Sequence, residues 1–189
     1  QEMNEVLRFN PFICESFYAD EVVLIEGPTE EIILRGYFNE VQTDKEIFVV
    51  NCGTVNNIPF FQKIFSRFNI KYHVICDSDK AEIKELDNHG LIPFETGIQK
   101  SIYQQLKFDY EKQDYSCGLF QVNEETFEPA HRNANIPTNL QYRQDYFVTD
   151  GKPYNSNLYW KNVLQPNLAS NEIDKVPIIK YLKNIIAHN

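Results

Sequence analysis

The chain has no apolar run near the roughly 18–20 residues that cross a bilayer as a helix, so no membrane span is expected. It lacks the basic-then-apolar opening of a secretory signal, and it begins at Gln1 without Met, which reads as a piece of a longer chain. Cysteines are few and far apart (Cys14, Cys52, Cys76 and Cys117), none in a CxxC pair, and the four histidines His73, His89, His131 and His188 are equally scattered. This disfavours a zinc site and a disulfide framework. Cys52, Cys76 and Cys117, in or beside apolar strand-like runs, read as reduced thiols of a cytosolic protein. Basic residues are short as well: 18 Lys and Arg against 27 Asp and Glu give a net charge of −9. Holding DNA tightly normally takes a basic surface. Either bound divalent cations offset the acids, or another part of a larger protein supplies the positive charge. No GxxxxGK[ST] phosphate loop, internal repeat or low-complexity tract occurs.

What is present suffices for a core, with 42% hydrophobic and 14% aromatic residues in 189. The first half alternates buried strands with helices. Val22–Ile25 is short, continuous and rich in β-branched residues, as a central parallel strand would be. It ends at Glu26-Gly27-Pro28, and Pro28 with Glu30 and Glu31 suits the first turn of a following helix. Ile47–Val50 is a second strand, stopped at Asn51-Cys52-Gly53. The spacing predicts a helix from Asn56 onward, with Phe60, Phe61, Ile64, Phe65 and Phe68 as core packing. Tyr72–Cys76 is a third strand and delivers Asp77-Ser78-Asp79 at its end. Beyond it, Glu95–Lys112 reads as a helix and Gly118–Val122 as a strand. Residues 129–157 read as a long loop, and Leu158–Leu164 and Val176–Ile186 as helices. A β-α-β-α-β order implies a parallel sheet with right-handed crossovers, and ligands gather at the carboxyl ends of such strands.

Both acidic motifs fall at that edge. Glu26 closes one strand and Glu30 lies one helical turn on. Asp77 and Asp79, two apart in an extended stretch, are expected to project to one side. If the first and third strands are neighbours, these carboxylates converge. Their mutual repulsion would raise their pKa values, and a hard divalent cation, Mg²⁺ or Mn²⁺, would relieve it.

The stretch Phe17-Tyr18-Ala19-Asp20-Glu21-Val22-Val23-Leu24-Ile25-Glu26-Gly27-Pro28-Thr29-Glu30 resembles the opening of a Toprim domain, most of all those of the OLD (overcoming lysogenization defect) nucleases. Val74-Ile75-Cys76-Asp77-Ser78-Asp79 resembles the DxD strand of the same fold. The resemblance covers about residues 17 to 130. It implies an α/β, Rossmann-like central parallel sheet flanked by helices, with a less regular, mainly helical C-terminal part. The division expected is a lead-in at 1–18 from a truncated longer chain, a catalytic core at 19–130 and an extension at 131–189.

The same resemblance implies a DNA endonuclease that uses two Mg²⁺ or Mn²⁺ ions. Glu26 would be a metal ligand or the group activating water. Glu30, Asp77 and Asp79 would be metal ligands, Asp77 bridging two ions. Glu128 is the candidate later ligand, with Glu124 and Glu125 as competitors, and Lys152 is the candidate lysine beside the scissile phosphate. Gly53 resembles the family's glycine after the second strand. The implied partners are DNA and an ABC-type ATPase domain outside this chain, with a homo-oligomer left open and no membrane. The implied setting is the prokaryotic cytoplasm, in phage defence of the Gabija type or DNA processing. Two alternatives stay open: a Toprim domain of another DNA- or RNA-processing enzyme, and an inactive scaffold that mediates dimerisation. A receiver-like module phosphorylated on Asp77 is disfavoured, because it predicts an Asp-Asp pair where the first strand here ends in Glu26-Gly27-Pro28.

Overall fold

The computed structural model describes residues 11–79, 81–112, 117–143 and 151–188. Four strands, β1 (Glu21–Ile25), β2 (Ile47–Asn51), β3 (Lys71–Asp77) and β4 (Cys117–Asn123), form one sheet in the order β2-β1-β3-β4. All three pairings are parallel, with Ile25 level with Asn51 on one side and Ile75 on the other. The expected neighbours, β1 and β3, are side by side at the centre. The helices are α1 (Pro11–Glu15), α2 (Pro28–Glu40), α3 (Ile58–Arg67), α4 (Gly97–Glu111), α5 (Phe127–Ala130), α6 (Lys152–Tyr159) and α7 (Pro177–Ala187).

The central strand is apolar on both faces because both are covered. Val23, Ile25, Val49 and Ile75 point into a cluster with Ile33 and Leu34 of α2 and with Leu182 and Ile185 of α7. Val22, Leu24, Val74 and Cys76 point the other way, onto Ile58 and Phe65 of α3 and Ile102 and Leu106 of α4. Each such side chain, fully removed from water, contributes roughly 1.5–3 kcal/mol.

Two buried histidines tie the periphery to this core as neutral rings. Where β3 and β4 slip register after Tyr72, the His73 Nδ1 accepts the Leu119 N–H at 3.0 Å, and its Nε2–H donates to Glu21 at 2.9 Å. Gly118 makes this possible, since a Cβ there would sit 2.3 Å from the Tyr72 carbonyl oxygen. His131 donates through Nδ1 to the Phe127 carbonyl at 2.7 Å and accepts the Ile178 N–H at 3.1 Å. That satisfies one of the orphan donors at the start of α7.

The structure departs from the sequence reading in three places. Part of the predicted 129–157 loop is ordered: α5 extends to Ala130, His131 and Tyr142 are buried, and α6 begins at Lys152, six residues before the expected Leu158. The extended run ends at Asp77, and Asp79 takes a left-handed φ of 53°. Phe68, expected in the core, is 62% exposed.

Candidate metal centre

The carboxylates are set by strand ends. β1 stops at Ile25, Gly27 is extended, and Pro28 opens α2, so Glu26 hangs over the sheet's edge and Glu30 faces inward one turn on. Glu26 Oε1 accepts the Asp77 N–H at 2.7 Å, joining the ends of β1 and β3. Asp77 accepts the Asn123 amide on Oδ1 at 2.9 Å and also the Phe127 N–H. Asn123 is wholly buried at the end of β4, level with Asp77. Glu128, in the first turn of α5, pairs with Lys152 at 3.0 Å.

One cavity of about 310 Å³ collects the side chains of Glu26, Glu30, Asp77, Glu128 and Lys152, floored by Gly27, Pro28 and Thr29 and flanked by Gly53 and Thr54. Asp79 is outside its lining. Its N–H donates to the Glu125 carbonyl at 2.7 Å, and its Oδ2 accepts from Gln99 at 3.2 Å. Glu124 and Glu125 are exposed and do not line the cavity. His131 and Arg132, close to Glu128 in sequence, point elsewhere: His131 is buried, and Arg132 donates to the Tyr142 carbonyl at 2.9 Å.

Four carboxylates facing one ammonium leave the cavity strongly acidic. Burial, then the charges of Asp77 and Asp79, pushes Glu26 up to about 7, although the Asp77 N–H opposes this. Burial, then Asp77, Glu26 and Glu128, pushes Glu30 up to about 8. Asp77 rises to about 6 for the same reasons, against the bonds from Asn123 and Phe127. Glu128 moves the other way: burial would raise it, but the Lys152 hydrogen bond prevails and lowers it. Lys152 is raised in turn by that bond. Without a cation, then, much of this negative charge is held down by protons and one lysine.

A divalent ion fits the donor chemistry, which is all oxygen and mostly carboxylate. The clasp is not closed: among the described residues, no three His, Cys, Asp or Glu side chains stand close enough to hold an ion as they are placed. Glu26, Glu30, Asp77 and Glu128 would have to turn toward a common point within the cavity.

Comparison with known proteins bears on the family and the fold. The sequence profile of the overcoming lysogenization defect protein-like TOPRIM domain matches residues 17–79, the segment that holds Glu26, Glu30, Asp77 and Asp79. The C-terminal region of the Burkholderia pseudomallei OLD protein superposes with a TM-score of 0.55 at 16% identity, covering 90% of this chain and 98% of that one. At that identity the likeness speaks for the fold, which extends beyond the TOPRIM segment into the C-terminal part. No curated protein sequence matches the chain. No helix among the described residues is long and apolar enough to cross a membrane. The match over residues 17–79 points to a nucleic-acid-processing enzyme of nuclease type, and TOPRIM domains generally bind divalent metals.

Asn123 and Gln99 escaped the sequence reading. Gln99, in the first turn of α4, donates to the Asp77 carbonyl at 3.1 Å as well as to Asp79. A polar residue closing the fourth strand, and an amide in the first turn of a helix, were the signals available.

Proposed function

We propose that the chain is a Mg²⁺- or Mn²⁺-dependent endonuclease domain that hydrolyses DNA phosphodiester bonds. The observation that carries it is the convergence of Glu26, Glu30, Asp77, Glu128 and Lys152, from β1, α2, β3, α5 and α6, on one cavity at the carboxyl edge of the sheet. Glu26, Glu30, Asp77 and Glu128 would hold the ions. Asp79 would join only by turning from its bond with Gln99. When bound, the cations supply Lewis acidity toward the phosphate and lower the pKa of coordinated water. The protein's own groups do the rest. Glu26, whose burial suits it to proton exchange near neutral pH, takes the proton of the attacking water. Lys152 swings from Glu128 to the non-bridging phosphate oxygens and offsets the charge that grows there. Gly27 and Gly53, both in the cavity lining, add no side chain to the space a phosphate would fill.

The net charge of −9 supports DNA being held by a basic region elsewhere in a larger assembly, such as an ATPase domain. A role in phage defence or DNA processing in a prokaryotic cytoplasm is the setting this reading suggests.

Mn²⁺ titration followed by calorimetry, with supercoiled-plasmid nicking alongside, tests the site. The unaltered chain should bind Mn²⁺, and Glu30→Gln and Asp77→Asn should each weaken binding at least tenfold and abolish nicking. Failure of the unaltered chain to bind Mn²⁺ at millimolar concentration overturns the proposal. Nicking that survives both substitutions overturns the residue assignment.

A further inference from the structure

α3 and α4 lie side by side on one face of the sheet and meet through Phe61, Phe65, Ile102 and Leu106, all buried. Their outer edges leave an open groove of about 700 Å³ lined chiefly by Phe60, Ile64, Phe68, Gln105 and Phe108. Phe60, Ile64 and Phe68 recur every four residues and form one apolar stripe, which Phe108 of α4 faces across the groove. Phe68 is 62% exposed and Phe108 50%. An exposed aromatic patch of this kind marks an interaction surface more often than a bare one.

Its charge decides what fits it. The charged side chains that line the groove are Lys63, Arg67 and Lys112, all cations, in a chain of net charge −9. None of the three is within salt-bridge reach of a described carboxylate. Of the two acids in α4, Asp109 faces inward, where it accepts from Tyr72 at 2.5 Å and Ser66 at 2.8 Å, and Glu111 lies 3.9 Å from both His89 and Lys107.

We propose that this groove docks an acidic amphipathic helix of a protein partner. Apolar residues at i, i+3 or i+4 and i+7 would seat against Phe60, Phe68 and Phe108, with carboxylates opposite Lys63, Arg67 and Lys112. A nucleic-acid strand fits less well. Both helices start at the sheet's carboxyl edge and run back, so Phe68, Phe108 and Lys112 lie at the edge away from the carboxylate cavity. One ring face is also taken: the Lys112 ammonium sits 3.9 Å from the Phe108 centroid. Bases bound by stacking need free faces.

The test uses the full chain and a labelled 18-residue peptide with Leu at that spacing and Glu on its flanks, followed by fluorescence anisotropy. The controls are a scrambled peptide, the same helix with Lys in place of Glu, and oligo(dT). The acidic helix should bind best, more weakly as salt rises. Lys63→Glu with Arg67→Glu, and separately Phe68→Ser, should each weaken it at least tenfold. Phe68→Ser should leave the melting temperature unchanged, since the ring is mostly exposed. Mn²⁺ binding at the carboxylate cavity should not change, so this proposal and the nuclease proposal can fail independently. No binding, equal binding of the scrambled or Lys peptide, preference for oligo(dT), or self-association through the groove would each overturn it.

Discussion

Asp77 is held in place by groups from three other elements. The Asn123 amide donates to its carboxylate, Glu26 takes its backbone N–H, and Gln99 takes its carbonyl. Because an amide N–H favours the ionised form of the acid it bonds, Asn123 holds Asp77 ready as an anion in a cavity whose burial opposes that state. Asn123→Leu keeps the volume and the backbone bond from Ser78 to the residue 123 carbonyl but removes the donor. It should weaken Mn²⁺ binding about 10- to 100-fold, the usual cost of losing a group that orients a metal ligand, with little change in melting temperature. Calorimetry on Asn123→Leu beside Asn123→Ser, which keeps a shorter donor and should recover part of the affinity, checks this. Equal loss in both would mean the side chain matters only for packing.

Among the elements, β3 shows what local sequence can and cannot reveal. Its apolar run and the acids at its end are plain in Tyr72–Cys76 and Asp77, and so are β1 and β2, because buried parallel strands read as continuous hydrophobic runs. The bend at Asp79 is not legible, since its left-handed φ follows from a bond to the Glu125 carbonyl on another strand's loop. Nor is the order within residues 129–143, where no periodicity announces it. There His131 accepts from Ile178, and the Tyr159 hydroxyl donates to the Leu140 carbonyl at 2.7 Å, contacts that bridge 47 and 19 residues of chain. Helical spacing correctly placed Phe60 to Phe68 on α3 but could not tell the covered side of the stripe from its open end. The β3–β4 junction carries a prediction at this scale. Gly118→Ala would drive a Cβ into the Tyr72 carbonyl and the His73 ring, 2.3 and 2.8 Å away. The cost should be about 3 kcal/mol, the upper end for overpacking a tight site, measured as a fall in denaturation midpoint with unchanged slope. A midpoint within error of the parent would show that the junction relaxes freely.

For the whole molecule, stability should pass through a maximum with pH, because two sets of groups pull in opposite directions. Burial lowers His131 from 6.5 to about 4, so the folded state resists a proton that the unfolded chain accepts. That contribution is complete above 6.5 and is lost as pH falls toward 4. The carboxylates of the cavity act the other way. Glu30, raised from 4.5 to about 8, and Glu26, to about 7, hold protons that the unfolded chain has released. Their contribution is complete below 4.5 and is lost as pH rises through 7 to 8. Melting temperatures in EDTA should therefore fall between pH 6 and 8.5. Mn²⁺ should remove most of that fall by neutralising the same charges, and Glu30→Gln should flatten it without metal. A metal-free profile that rises through this range would contradict the crowding of charge in the cavity.

The contact between Lys152 and Glu128 has a consequence for the order of events. The lysine is largely exposed, so the pair itself is worth little and is easily exchanged. Under the proposed function, a cation that takes Glu128 would set Lys152 free, and a phosphate that takes Lys152 would set Glu128 free. Each ligand would then remove the other's competitor, and by thermodynamic reciprocity each would raise the other's affinity by the same factor. Loading of metal and loading of nucleic acid would become one cooperative step, with the ion pair as placeholder for both.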